Sequence, residues 1–333
     1  MKDTIYLLTG AAGFLGNNIS HKLVSQGKKV RVLVLNGDPA VKYVPKEAEV
    51  CFGDLTDLNS LKPFFAVPEG HDAVVIHCAS IVTTSPKPNP KVYDVNVTGT
   101  ENVVDLCVAH HVKKLVHVSS TGAILEAPKG RIIREPEEFF PDQVVGYYAE
   151  TKAIATQYVL EAVRSKDLDA SIVYPSGICG PDDSAFGLFA SFLIRYCQGQ
   201  MPVGVDGTFN SVDVRDLADG VIACVEKGRK GEGYIMSNEM VSMRKMFDLI
   251  SEASGAKRVE TILTPEQMQA SQSSIVGSED KENMEALKFE LYNLIRNNDF
   301  SSEKAEKELG FHTRPFSQTI ADTVKWLSSE GKI

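Results

Sequence analysis

No apolar run in this 333-residue chain approaches the ~20 residues that a membrane span requires. The first strand-like run, Thr4 to Leu8, also begins without a basic, apolar, cleavable leader. Together these absences argue against a membrane protein and point to the cytoplasm. A Lys/Arg-rich run, zinc-finger spacing and an aromatic RNA motif are missing too, and the net charge is −9. Such a chain offers little to a phosphate backbone, so nucleic acid is not an expected partner. The six cysteines, Cys51, Cys78, Cys107, Cys179, Cys197 and Cys224, include no CxxC pair and lie mostly among apolar residues. They read as reduced thiols. His77 and His117 sit in or at the end of apolar runs, and the adjacent His110 and His111 cannot share one side of a helix, so no metal site is expected.

What is present fits a globular α/β protein, with 43% hydrophobic and 24% charged residues. Short apolar runs alternate with helical patterns, the mark of a parallel sheet covered on both faces. The expected strands are Thr4–Leu8, Val30–Leu35, Glu49–Phe52, Ala73–His77, Lys114–Val118 and Ala170–Tyr174. Leu15, Ile19 and Leu23 recur every four residues and stop at Gly27, a natural helix end. A second helix is expected from Asn96 through Cys107, with Gly99 permitting close approach to a neighbour. Beyond Pro181 the pattern loosens into a helix at 186–197, a strand or turn and helix over 212–225, and a short strand at 233–236. A polar helical stretch over 264–298 follows, carrying Met268, Met284, Leu287, Leu291 and Leu294. No low-complexity linker divides the halves. The expected second domain is therefore small and built from excursions off the sheet.

Two local patterns carry chemistry. Tyr148 and Lys152 stand four apart, so a helix points phenol and ammonium at one spot. A cation within about 4–6 Å favours the phenolate of a tyrosine whose free pKa is near ~10. The second pattern is Thr9-Gly10-Ala11-Ala12-Gly13-Phe14-Leu15-Gly16, which follows the first strand and opens the first helix. Glycines there permit a tight turn, and a helix N-terminus offers N–H groups and a positive dipole end to a pyrophosphate.

With these two patterns, the chain resembles the extended short-chain dehydrogenase/reductase family, of the NAD-dependent epimerase/dehydratase type. The resemblance runs almost end to end: Thr9 to Gly16, Gly53-Asp54-Leu55, His77-Cys78-Ala79-Ser80, Val95 to Thr100, Val118-Ser119-Ser120-Thr121, Tyr148 with Lys152, Pro175 to Pro181 and Val212 to Ala218. It implies a Rossmann-type doubly wound parallel sheet over residues 1–175 plus about 209–228. A smaller C-terminal substrate-binding domain would take 176–208 and 229–333. By the same resemblance, Gly10, Ala12, Gly13, Phe14, Leu15 and Gly16 would hold the pyrophosphate, and Asp54 and Leu55 the adenine. Cys78, Ala79 and Ser80 would line the path to the nicotinamide, with Pro175, Ser176, Gly177 and Ile178 near its carboxamide. Lys152 would bind the nicotinamide ribose and tune Tyr148. Tyr148 would be the general acid, Ser120 the second hydrogen bond to the substrate oxygen, and Asn96 a structural or water-mediated support. Ser119 is an alternative to Ser120, and Asp54 an alternative turn cap.

Cofactor choice is normally read at the end of the second strand, where an acid selects NAD and an Arg selects NADP. Val34 and Leu35 stand at those positions, so neither charge is in place. Asn36 can bond a ribose hydroxyl and Lys42 is a distant phosphate partner, which leaves NADP or NAD open with a lean to NADP from the subgroup. For substrate, Phe209 stands where nucleotide-sugar enzymes usually place a diphosphate-gripping Arg, while Arg215 reads as a turn anchor. The segments Pro175–Pro181, Val212–Asp216 and Glu308-Leu309-Gly310-Phe311 with Arg314-Pro315 resemble the dihydroflavonol-4-reductase-like branch, whose substrates are small or flat and uncharged. Departures from it are Tyr174 and Cys179, both expected on the pocket side. Thr83, Tyr147 and Phe186, with Ile81, Thr84, Ile124, Leu125 and Phe189, are the other expected pocket residues. The implied function is reduction of a small-molecule carbonyl, or oxidation of an alcohol, by hydride transfer. A nucleotide-sugar epimerase or dehydratase and a non-catalytic NAD(P) sensor are the alternatives. Analogy suggests a homodimer through the helices bearing Asn96 and Tyr148.

Overall fold

The computed structural model of the chain describes residues 3–275 and 281–333. Its strands are β1 (Thr4–Thr9), β2 (Lys29–Val34), β3 (Glu49–Phe52), β4 (Asp72–His77), β5 (Lys114–Val118), β6 (Ala170–Pro175), β7 (Gly177–Cys179), β8 (Gly204–Val205), β9 (Thr208–Asp213), β10 (Gly233–Met236), β11 (Met240–Ser242) and β12 (Ile262–Leu263). The α-helices are α1 (Phe14–Ser25), α2 (Leu58–Phe65), α3 (Pro90–Tyr93), α4 (Gly99–Ala109), α5 (Tyr147–Ser165), α6 (Leu188–Cys197), α7 (Val214–Lys227), α8 (Met243–Ser254), α9 (Pro265–Ile275), α10 (Lys281–Ile295), α11 (Glu303–Leu309) and α12 (Phe316–Ser329). None of the described helices is long and apolar enough to cross a membrane.

Seven parallel strands form the main sheet in the order β10-β6-β5-β4-β1-β2-β3. The winding reverses between β1 and β4, and a crevice opens at the carboxyl ends of those strands. Alternation along β1 sends Leu7 to the face covered by α2, α4 and α5, and Tyr6 and Leu8 to the face covered by α1 and α7. Leu15, Ile19 and Leu23 of α1 are buried on that second face, and the helix run ends beside Gly27 at φ +70°. Each such fully buried aliphatic side chain contributes roughly 1.5–3 kcal/mol. Gly99 does permit a close approach: a Cβ there would stand 2.9 Å from Leu55 Cβ.

The smaller half builds a second sheet, β11-β9-β7, against α6, α8 and α12, around Phe247, Ile250, Ile320 and Leu327. Two boundaries differ from the sequence reading. Strand β10, assigned there to the smaller half, is the edge strand of the main sheet, because α7 returns it alongside β6 in one more βαβ crossover. Strand β9, assigned to the larger half, pairs with β7 and β11 instead. Arg215 anchors this junction, as its position suggested: it pairs with Asp213 at 2.7 Å and Asp322 at 2.8 Å, while Arg314 grips Asp216 at 2.6 Å. The helical stretch expected over 264–298 runs as α9 and α10 on either side of residues 276–280, which lie outside the described residues, as does the side chain of Met284.

Candidate active site

Four strand ends converge at the crevice. The first is the glycine turn after β1. Gly10 has φ +75°, and a Cβ there would stand 2.7 Å from Ala79 N, so only glycine lets the turn lie against the Cys78-Ala79 backbone. A Cβ on Gly16 would strike the Gly10 carbonyl. The two glycines thus press the start of α1 onto the β1 end. Gly13 caps α1 with backbone alone, no side chain bonding the first turn, which leaves its N–H groups and dipole for an anion. The backbone of Gly10, Ala12, Gly13, Phe14, Leu15 and Gly16 could hold a dinucleotide pyrophosphate in this cradle.

Around it the other expected nucleotide residues divide. Leu35 and Asn36 are exposed past the end of β2. Lys42 lies over the Tyr43 ring at 4.8 Å, in the short helical turn that follows. Asp54 spends one carboxylate oxygen on Thr56, accepting from its N–H and hydroxyl at 2.8 Å each, which is the turn-cap alternative. Leu55 is buried, and its carbonyl accepts from Asn102.

The reacting corner lies where β5 ends and α5 begins. Residues Asp94–Thr98 form one turn of π-helix, and this bulge carries Asn96 inward to 1% exposure. Asn96 Oδ1 accepts from Ile81 N at 2.7 Å and Ser80 Oγ at 3.0 Å; its amide donates to Ile81 O at 3.0 Å and Thr151 Oγ1 at 3.1 Å. With four bonds made inside the protein the side chain is saturated, so Asn96 supports the site structurally. Thr151 in turn donates to the Tyr148 carbonyl at 2.8 Å.

The side chains of Ser120 and Ser80 lie beside the Tyr148 phenol. Burial raises its pKa, and the two hydroxyls act against that rise. Lys152 is 2% exposed and donates to the Val118 carbonyl at 2.7 Å. Burial holds its ammonium down to about 8, partly offset by the nearby Cys78 thiol. The ammonium is therefore anchored to the β5 end, not hydrogen-bonded to the phenol. Of the two candidate serines, Ser119 is buried beneath α5 against Thr156 at 2.7 Å, whereas Ser120 reaches the phenol and accepts from Gly122 N at 3.0 Å. Position alone separates them.

Behind this corner runs a buried polar row that the sequence reading did not single out. Thr9, His77 and His117 are neighbours in register across β1, β4 and β5. His77 bonds Thr9 Oγ1 at 2.7 Å and Thr100 Oγ1 at 3.0 Å; Thr100 gives its own proton to the Asn96 carbonyl at 2.7 Å. Nε2 of His77 must then be the donor and Nδ1 the acceptor. Burial and the Lys152 charge push His77 down to about 3, so it stays neutral, and His117 stacks on it at 5.5 Å. The signal was available: a polar residue closing each of two neighbouring strands meets its partner once the register is known.

On the substrate side, Tyr147 opens α5 near Tyr93 and Asp94. Thr83 turns its hydroxyl to Ser85 N at 3.0 Å. Ile124 is buried. Phe186 is drawn into the smaller half: Trp326 stacks on it at 5.4 Å and Lys332 sits over the ring at 4.6 Å. Tyr174 and Cys179 are not on the pocket side. Tyr174 is 2% exposed and packs into the core against Phe139, filling space left by Gly233, and Cys179 is buried under α6 and α8. In their place Phe209 lies on the backbone of Gly177 and stacks on Phe189 at 6.2 Å, making an aromatic wall beside the Pro175–Ile178 segment.

The model of the NAD dependent epimerase/dehydratase family matches residues 6–237. Sterol demethylase protein B of Methylococcus capsulatus is 28% identical over 336 residues, with 98% of this chain and 99% of that one covered. A putative dihydroflavonol 4-reductase of Synechocystis sp. is 25% identical over 98% of this chain and 96% of its own. Among solved structures, that of gox2253 superposes with a TM-score of 0.84 at 28% identity, covering 99% of both chains. The chain belongs to the NAD dependent epimerase/dehydratase family.

Proposed function

We propose that the protein is an NAD(P)-dependent oxidoreductase that interconverts a carbonyl and an alcohol on a flat, uncharged organic molecule, with Tyr148 as general acid. The observation that carries this is the convergence of Ser120 and the Tyr148 phenol at the crevice, with buried Lys152 one helical turn on. A bound nicotinamide supplies or accepts the hydride. Charge that grows on the substrate oxygen is met by the Ser120 hydroxyl, and the phenol of Tyr148 gives up its proton to it. Lys152, fixed by the Val118 carbonyl, holds positive charge beside the ribose position, and Asn96 keeps the 81 loop and α5 in place. Phe209 and Phe189 support an apolar substrate: a phenyl ring cannot make the bidentate charged contact that a diphosphate needs. The relatives named above, sterol demethylase protein B and a putative dihydroflavonol 4-reductase, support the same substrate class. Neither the acid that selects NAD nor the Arg that selects NADP stands at Val34 and Leu35, so the lean to NADP rests on the dihydroflavonol-4-reductase-like subgroup alone.

Absorbance of NADPH and NADH during incubation with aldehydes, aromatic and aliphatic ketones, flavanonols and ketosteroids tests this reading. Consumption with at least one flat carbonyl, faster with NADPH, is expected. Nucleotide binding without consumption, together with turnover of a nucleotide sugar, would replace it with the epimerase reading.

A further inference from the structure

We propose that α10 forms the end wall of the substrate pocket and that Phe289, on its inner face, sets how long a carbonyl substrate can be. The proposal rests on the reductase reading given above and deepens it. Helix α10 carries two stripes at helical spacing. Leu291 and Leu294 turn to the smaller half: Leu291 is buried, and Leu294 packs with that half's core, its own Cβ 2.7 Å from where a Cβ on Gly207 would stand. Glu285, Phe289 and Tyr292, at i, i+4 and i+7, lie on the other side of the helix, and all three meet the larger half.

Each of the three meets a different segment. Tyr292 gives its hydroxyl proton to Glu126 at 2.8 Å, in the loop that follows Ser120. The ring of Phe289 lies on Gly146, just ahead of Tyr147 and Tyr148: a Cβ there would stand 2.5 Å from Cε2 and Cζ of the ring. Glu285 reaches Lys87 at 3.7 Å, in the loop between β4 and α3 that also holds Ser80 and Ile81. These three segments border the reacting corner on three sides. A straight helix that meets them all crosses the space between them, which is the space a substrate enters.

The wall is firm at both contacts nearest the chemistry. The second Glu126 oxygen accepts from Asn297 N at 2.7 Å, and Asn297 Nδ2 is held among the carbonyls of Ala127, Pro128 and Arg131, the nearest at 2.7 Å. Under the ring, the Gly146 carbonyl accepts from Glu150 N at 3.1 Å as α5 begins, and its φ of +99° disfavours any side chain there. Phe289 is the one wholly apolar side chain of the three. A phenyl ring selects by shape and not by charge, so it stops a substrate that extends from the reacting carbon toward α10 and admits one that ends short of it.

Cyclohexanone, a decalone and a ketosteroid, three ketones of rising length, test this in wild type, Phe289→Ala and Phe289→Trp. Alanine should raise kcat/KM for the steroid relative to cyclohexanone about tenfold or more, and tryptophan should lower that ratio about as much, the range an apolar pocket gives for small changes of size. The kcat for cyclohexanone and the nucleotide Kd should stay within about threefold in both. Phe289→Leu, a smaller step in the same direction, replaces alanine should that variant not fold. A ring that only holds α10 in place would slow both variants on every ketone alike. An unchanged ratio, or one moved the same way by alanine and tryptophan, therefore overturns the proposal. Should wild type turn over no carbonyl, the reading of function fails instead, and the ratio is read from calorimetric Kd values of the three ketones on nucleotide-saturated protein. Opposite shifts in the two variants support the wall, and equal ratios, or no binding, overturn it.

Discussion

The corner beneath α5 and the wall formed by Phe189 and Phe209 are built by opposite means. In the corner hydrogen bonds hold the polar side chains: Asn96 makes four bonds, Thr151, Thr156 and Thr100 each make a bond inside helices, and Lys152 is pinned to a strand carbonyl. At the wall there are only rings, one stacked on another and one lying on a glycine. Hydrogen bonds are directional and fix where a proton can go, while ring packing fixes a shape and rejects charge. On the proposed reading the first would set the chemistry and the second the selectivity.

The comparison breaks most severely at Lys152. Lys152→Met should lower turnover at least about 10²-fold and weaken nucleotide binding about tenfold or more, since a charged hydrogen-bond partner is lost. The same change should raise thermal stability, because a buried ammonium is removed. Wild-type stability should also rise between about pH 8, where folded Lys152 loses its proton, and 10.5, where the unfolded chain does; melting curves of the Met variant should lack that rise. Next in size, Gly10→Val should cost about 10-fold or more in nucleotide affinity, because the φ of +75° and the Ala79 backbone leave no room for a side chain. Isothermal titration reads it. On the opposite side, Phe209→Ala should raise KM for flat carbonyls, change kcat less than about threefold and cost about 2 kcal/mol in stability, less than a fully buried ring would. A further expected effect, on stability alone, appears in acid. His77 is held neutral down to about 3 against a usual value of 6.5, so stability present above pH 6.5 should fall as pH drops toward 3. Denaturation profiles at pH 7 and 4.5 should differ more in wild type than in His77→Gln.

The sheet was legible because parallel strands buried on both faces read as apolar runs, and β1 to β6 lie where those runs are. The glycine turn and the Tyr148 and Lys152 pair were legible because each depends on local spacing. What depends on two distant segments was not. The stacking of Phe186 on Trp326, the burial of Tyr174 behind Gly233 and the exchange of β9 and β10 between sheets follow from how the smaller half folds back. No local period encodes that return. Likewise Lys152 alone suggests a tuner of the phenol, but only the packing shows its ammonium bound to Val118 O, with two serines beside the phenol.

The most direct test of the account is Tyr148→Phe, measured beside wild type for carbonyl-dependent NADPH consumption and for nucleotide affinity. One hydroxyl is removed and the ring is kept. The account predicts that turnover falls roughly 10²–10⁴-fold while the nucleotide Kd stays within about twofold. Ordinary turnover in the phenylalanine variant would contradict it and place the acid elsewhere.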